Sequence, residues 1–270
     1  MPAISPAKLK LQTTRLAEQY TQPGIFVREL HKLLSSYADN TQRPSQSGAP
    51  SALIESYNVH TPVMRQIQLS LKAIPANDPH GALELCDALW SEPFLEHRLL
   101  ACTMLGLVPI SQSETIVTRL EYWTQTVPEH RLLMALIDQG MARLRQESPD
   151  MVLELVDSWL KSPDLRFQQF GLRALLPLVT QPGFQNLPAV FHLLTPFLRR
   201  SPTSIRPDMV ELLSALTQRF PSETAYTLKT TLGAADNPDT AWIIRQVLPE
   251  FAKPIQDGLK KAMKNSIKSG

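Results

Sequence analysis

Two groups of residues in this sequence could carry chemistry. The first is the motif EHRLL, which occurs at residues 96–100 and again at residues 129–133. Each copy holds a carboxylate, an imidazole and a guanidinium, residue types that serve acid–base catalysis and anion binding. The interval of 33 residues between the copies also allows another interpretation, in which the motif marks a structural repeat rather than paired catalytic bases.

The second group is a series of arginines that recurs along the chain. Successive members are 33, 35, 40 and 39 residues apart, and they are Arg98, Arg131, Arg166, Arg206 and Arg245. Each lies near a polar or proline-containing turn that leads into an apolar helix. A period of roughly 35–45 residues is typical of HEAT-like repeats, in which each helix pair buries its apolar face against its neighbours. This pattern favours repeat architecture over duplicated catalysis for EHRLL, with His97 and His130 carried along by the repeat.

The elements that would hold these residues are helices. Glycine is scarce, with 10 residues, whereas 23 prolines fall between apolar segments of helical period. Proline fits the first turn of a helix and disrupts its interior, so this spacing indicates helices that stop and restart. One of the predicted helices covers residues 128–147, and no alternating run demands a strand. The sequence predicts an all-α fold, a HEAT-like α-solenoid of stacked antiparallel helix pairs.

The charge distribution limits the possible partners. The formal net charge is +2, with six basic and three acidic residues in 1–50, five and one in 251–270, and 16 and 21 between them. Binding to nucleic acid would therefore need a local basic face or the basic termini. Neither a glycine-rich phosphate loop nor a nucleophile elbow is present, which disfavours an enzyme acting on small molecules.

Cysteine usage and hydropathy lead to expectations about cofactors and location. Cys86 and Cys102 are predicted to be buried and reduced, and no Cys/His cluster has the spacing of a metal site, so we expect no metal and no cofactor. The N-terminus does not resemble a signal peptide, and no apolar run approaches the roughly 20 residues that a transmembrane helix needs. A cytoplasmic protein without membrane contact is expected.

Composition divides the chain into four predicted parts. An N-terminal helical segment covers residues 1–38, and a Ser-, Pro- and Gln-rich stretch at 39–51 is predicted to be a flexible loop. The repeat domain follows at 52–252. A basic helix or tail occupies 253–270.

Three stretches of the repeat domain resemble a known family. SYNVHTPVMRQIQLSLK (56–72) has an aromatic residue, a valine, a proline and then an arginine at a helix start; ALELCDALWSEPFLEHRLLACTMLG (82–106) has Leu-Trp, a polar turn and then Glu96 and Arg98; AWIIRQVLPEF has the Trp-x-x-Arg pair Trp242 and Arg245. In order and spacing these stretches resemble AlkD-type DNA alkylation-repair proteins over roughly residues 52–252.

The resemblance implies a concave surface that binds duplex DNA and excises N3- or N7-alkylated purines. In such glycosylases aromatic rings meet the cationic base, a carboxylate stabilises the oxocarbenium-like sugar, and arginines bind phosphates. It points to Trp242 as a catalytic residue, with Glu129 as the stand-in carboxylate. The DNA-binding candidates are Arg245, Arg206, Arg166 and Arg173.

The central repeat departs from the family pattern. The family has a catalytic Trp and Asp there, whereas EYWTQTVPEHRLLMALIDQG has no Trp after its turn and no Asp before Asp138. This departure concerns catalysis rather than fold. The alternative function is a non-enzymatic HEAT-like scaffold that binds a protein or peptide in its groove.

Overall fold

The computed structural model of the chain describes residues 5–39, 54–127 and 130–269. Across these ranges the backbone forms helices and turns, and extended backbone pairs only in an isolated bridge between Glu55 and Phe94. The chain divides into two compact units, Met1–Ser148 and Pro149–Gly270. The prediction of an all-α helical-repeat fold is confirmed.

The first unit consists of short helices joined by tight turns. They are α1 (Pro6–Ala17), α2 (Pro23–Tyr37), α3 (Thr61–Leu71), α4 (Ile74–Asn77), α5 (Pro79–Ser91), α6 (Leu95–Leu105), α7 (Ser113–Thr126), α8 (His130–Ala135) and α9 (Ala142–Glu147). A 3₁₀ turn at Ile110–Gln112 precedes α7, and a π-helical turn at Leu136–Gly140 joins α8 to α9.

The second unit continues with longer helices. They are α10 (Pro149–Leu160), α11 (Leu165–Thr180), α12 (Leu187–Arg199), α13 (Arg206–Arg219), α14 (Pro221–Gly233), α15 (Thr240–Val247) and α16 (Lys253–Ser269). Two 3₁₀ turns, Thr203–Ile205 and Leu248–Glu250, border α13 and α15.

Proline marks the start of many of these helices. It occupies one of the first two helical positions in α1, α2, α3, α5, α12, α13 and α14, and Pro149 begins α10. The first backbone N–H groups of a helix have no intrahelical acceptor, so proline loses little by lacking one there. The predicted use of proline as a helix start is confirmed at these positions.

Hydrogen bonds between side chains follow the repeat period. In the first unit, Gln68 donates to Thr103 Oγ1 at 3.1 Å and Thr103 donates to Gln139 Oε1 at 2.6 Å, across separations of 35 and 36 residues. In the second unit, Arg173 donates to Asp208 at 2.6 Å across 35 residues. Each of these contacts joins one repeat to the next, as expected for stacked units that stabilise one another through neighbours.

The predicted helix over 128–147 is interrupted by the π-helical turn at Leu136–Gly140. A Cβ on Gly106 would lie 1.7 Å from the carbonyl oxygen of Gln139, so the turn packs directly against the bare Cα of that glycine. Arg145 donates to the carbonyl oxygens of Ile137 at 2.8 Å and Asp138 at 3.2 Å. The wider turn thus accommodates a close backbone contact, and Arg145 binds carbonyl groups that α-helical bonding would have used.

Tryptophan rings lie in the core of both units. The rings of Trp90 and Trp123 stack with centroids 4.3 Å apart and planes 3° apart, and Trp159 meets Phe170 edge-on with centroids 4.3 Å apart. All four side chains are buried. These tryptophans therefore pack repeats together rather than face a ligand.

Two further predictions concern boundaries and membranes. The predicted loop at 39–51 lies outside the described residues apart from Asp39, and the four predicted parts of the chain stay a prediction. Within the described ranges no single helix is long and apolar enough to cross a membrane; by length and composition alone one pair of segments does so together, Leu95–Leu105 with Ile110–Thr126, across a bend of 111°.

Candidate functional site

The first copy of EHRLL makes structural contacts. The buried Glu96 carboxylate accepts hydrogen bonds from the Ser56 hydroxyl at 2.8 Å and from the backbone N–H groups of Tyr57 at 3.1 Å and Asn58 at 3.0 Å. Asn58 has a positive φ of 53°, a conformation that costs free energy for a residue with a side chain. Glu96 therefore holds the loop that leads into α3 in an unusual shape.

His97 is fully buried among aromatic side chains. Its ring lies 5.9 Å from the Tyr57 ring and 5.7 Å from the Phe94 ring, centroid to centroid. Burial, and secondarily the nearby His31, lowers the pKa of His97 to about 4, while the Val27 backbone opposes part of this change. A neutral imidazole without access to solvent is a core residue and not a catalytic base.

Tyr57 completes this cluster on the other side. Its hydroxyl contacts His31 Nδ1, and its ring stacks on Phe94 with centroids 4.5 Å apart. Burial, followed by the negative charge of Glu96, raises the pKa of Tyr57 to about 12. The tyrosine that carries the family resemblance in this stretch therefore helps to anchor α2 and α6 to the same loop.

The second copy of EHRLL is described only in part. Glu129, the predicted stand-in carboxylate, lies outside the described residues, and its role stays a prediction. His130 begins α8 and Arg131 is exposed. No group of three or more His, Cys, Asp or Glu in the described ranges is placed to hold a metal ion.

The second unit brings several predicted site residues together around α15. Trp242 lies in the first turn of that helix and is half-buried. The guanidinium carbon of Arg206 lies 4.7 Å from the centroid of the Trp242 ring, within the range of a cation–π interaction. Two predictions made from separate repeats, Trp242 and Arg206, therefore fall on one site.

Asp239 holds this arginine in place. Its Oδ1 accepts from Arg206 at 2.9 Å, its Oδ2 accepts from the backbone N–H of Ser201 at 2.8 Å, and Arg206 Nε donates to the Ser201 carbonyl at 3.1 Å. Both oxygens of the carboxylate are engaged, and the guanidinium is oriented by charge-assisted bonds. We did not single out Asp239 from the sequence; its position three residues before Trp242, at the helix start, was the available signal.

Arg245 differs from the other predicted arginines. It follows Trp242 by three residues, which places the two on neighbouring positions of one helix face. Its side chain is exposed, and no ion pair or hydrogen bond joins it to another residue that the structure describes. Among the four candidates it alone presents a guanidinium that no described carboxylate engages.

Arg173 and Arg166 are both engaged by aspartates. Arg173 bonds to the buried Asp208 at 2.6 Å, which couples α11 to α13. Arg166 bonds to Asp164 at 2.7 Å, and the hydrogen bonds from Arg166 hold the pKa of that carboxyl below its usual range. Asp164 also caps α11 by accepting from the Arg166 backbone N–H at 2.9 Å. The structure thus gives each of these arginines a structural partner, and their role in binding DNA stays a prediction.

Comparison with known families agrees with the motifs in the first half of the repeat domain. The model of the DNA alkylation repair enzyme family matches residues 30–241. The chain belongs to this family. The match covers α3, α6 and the arginines at 166, 173 and 206, and it ends one residue before Trp242. No curated protein and no solved structure gives a significant match.

Proposed function

We propose that this member of the DNA alkylation repair enzyme family binds duplex DNA that carries alkylated purines, with Trp242 and Arg245 of α15 at the contact. The observation that carries the proposal is the outward face of α15. It presents a half-buried aromatic ring next to an exposed guanidinium that no described carboxylate engages.

The chemistry of the two side chains suits such a ligand. A guanidinium forms paired hydrogen bonds with phosphate oxygens and fixes the register of a duplex. A purine alkylated at N3 or N7 is a cation, and contact with an indole ring contributes about 0.5–2 kcal/mol. Arg206 already covers one face of Trp242, so at most one face remains for the base.

Excision of the base needs a carboxylate near the sugar. Asp239 does not suit this task, because both of its oxygens are held by Arg206 and Ser201. Glu129 is the candidate that the sequence supplies, so the proposal treats binding as the primary activity and makes excision depend on Glu129.

The test is the release of N3- and N7-methylpurines from methylated duplex DNA, quantified by mass spectrometry. We expect Trp242→Ala to weaken binding of the methylated duplex and Glu129→Gln to abolish release. The matched controls replace an exposed aromatic residue and an exposed carboxylate elsewhere, Tyr122→Ala and Glu154→Gln. If neither binding nor release depends on methylation, recognition of alkylated DNA is ruled out.

A non-enzymatic scaffold that binds a protein or peptide is the second candidate. The observation that favours it is the engagement of Arg166, Arg173 and Arg206 by aspartates, which leaves these side chains less available for phosphates. Retention on duplex DNA separates the two, since phosphate contacts weaken steeply with added salt. A chain that is not retained at low salt supports the scaffold.

A further inference from the structure

The C-terminal helix α16 carries a lysine stripe on its outer face. It begins at Lys253, beyond the residues that match the family. Its described side chains include four exposed lysines and one exposed aspartate, a net charge of 4 − 1 = +3. We name the lysine stripe by its members, Lys253, Lys260, Lys261 and Lys264.

The spacing of the lysine stripe aligns it along the helix. Lys253, Lys260 and Lys264 stand at positions i, i+7 and i+11, which share one face of an α-helix. At a rise of about 1.5 Å per residue, they extend over roughly 16 Å. A duplex carries one phosphate charge per about 1.7 Å of its axis, so a stripe of this length can face several phosphates.

Most of these lysines are not neutralised within the protein. Lys253 approaches Asp257 at 3.8 Å, whereas Lys260, Lys261 and Lys264 form no ion pair with any residue in the described part of the chain. The arginines at 166, 173, 200 and 206 of the same unit each bond to an aspartate. Positive charge available to a ligand is therefore concentrated on α16.

The neighbouring helix α14 extends this surface. A Cβ on Gly258 would lie 3.0 Å from Lys229 Nζ, so the ammonium group of Lys229 lies against the backbone of α16. Lys229 also lines an open groove with Asn265 and Ser266 of α16. Tyr226, three residues earlier on the same face of α14, is 73% exposed. An aromatic ring beside several cations is a combination found on surfaces that bind nucleic acids.

The inner face of α16 argues against insertion into a membrane. Leu259 is fully buried, and Ile255 and Met263 are partly covered where the helix packs on α14. A basic amphipathic helix that binds in a bilayer interface inserts its apolar face, and here that face is already occupied. The lysines are thus left to act by charge alone.

We propose that the lysine stripe, with Lys229 and Tyr226, forms a second DNA-contact surface that binds the phosphates of a duplex without reading its sequence. This inference rests on the proposed function, because it takes DNA as the partner. It adds a contact surface outside the residues that match the family.

The test measures binding of the full chain to a fluorescently labelled duplex over a range of salt concentrations. The variant replaces Lys260, Lys261 and Lys264 with glutamine. If all three contact phosphates, the slope of log K against log salt becomes shallower by about 2.7, because each contact contributes about 0.9. The control removes the same charge from exposed lysines of the first unit through Lys8→Gln, Lys10→Gln and Lys32→Gln, and its slope should stay near that of the wild type.

Each other outcome overturns the inference in a distinguishable way. Equal changes in both triple variants identify net charge as the cause. A wild-type chain that binds the duplex with a slope that the α16 variant does not alter refutes only the second surface, and the proposed function stands. A wild-type chain that does not bind the duplex refutes both. Binding to vesicles of anionic lipid that is lost in the α16 variant, with duplex binding unchanged, assigns the lysine stripe to membranes.

Discussion

Acidification should destabilise this protein through His97 before most of its carboxylates titrate. In the unfolded chain a histidine has a pKa of about 6.5. In the folded chain, burial lowers the pKa of His97 to about 4. Between these two values the unfolded state binds a proton that the folded state does not, so stability is fully present above pH 6.5 and falls as the pH approaches 4.

The magnitude follows from the same two values. A difference of one in pKa corresponds to about 1.4 kcal/mol, so the decrease from 6.5 to about 4 corresponds to a loss of about 3 kcal/mol in the free energy of unfolding. His31 and Tyr57 pack against this region and Glu96 lies beside it. Their titrations are common to the wild type and to a variant that changes His97 alone.

The assay is urea denaturation followed by circular dichroism at several pH values from 7 to 4. His97→Phe retains a ring against Tyr57 and Phe94 and removes the titrating group, so we expect it to lose about 3 kcal/mol less than the wild type over this interval. His192→Gln, at an exposed position of α12, should follow the wild type.

Equal losses in the wild type and in His97→Phe would refute the reasoning, since His97 would then gain its proton as readily in the folded state as in the unfolded state. If His97→Phe does not fold, the titration of the His97 ring followed by NMR in the wild type decides the question. A midpoint near 6.5 contradicts the prediction, and a midpoint near 4 agrees with it.

Three further predictions concern packing and the predicted site. Gly106→Ala should destabilise the chain by about 2 kcal/mol or more, because its Cβ would overlap a backbone carbonyl, whereas Gly24→Ala, with no atom within 4 Å of its Cβ, should be neutral or stabilising in thermal denaturation. Arg245→Ala should leave the melting temperature unchanged, weaken duplex binding and make the salt slope shallower by about 0.9, as measured by fluorescence anisotropy. Arg173→Ala should instead lower the free energy of urea unfolding by about 3 kcal/mol, because it leaves the Asp208 carboxylate buried without its cation, and a loss no larger than that of Arg245→Ala contradicts this.

Much of the organisation could be predicted because it depends on nearby residues. Proline at the first positions of α1, α3 and α14 determines where those helices begin, and the period of the arginines reports repeats of about 35 residues. Both signals come from local backbone preferences and from the alternation of apolar faces. They are present in the sequence before any long-range contact forms.

The interruption at Leu136–Gly140 could not be predicted in the same way. Residues 128–147 have helical periodicity throughout, and nothing local reveals that Gln139 must pass against Gly106. The cause lies 33 residues away in the preceding repeat. A pattern within one segment carries no information on how closely its neighbour approaches.

The sequence by itself determined the helical class, the repeat period and the family resemblance, because each rests on residue types at fixed spacing. Only the tertiary structure decided which charges are neutralised. Arg206 and Arg245 look alike in the sequence, yet Asp239 binds the first, and the second remains exposed on α15. The physical reason is that an ion pair depends on distances between side chains from different repeats, and those distances are fixed only when the helices pack.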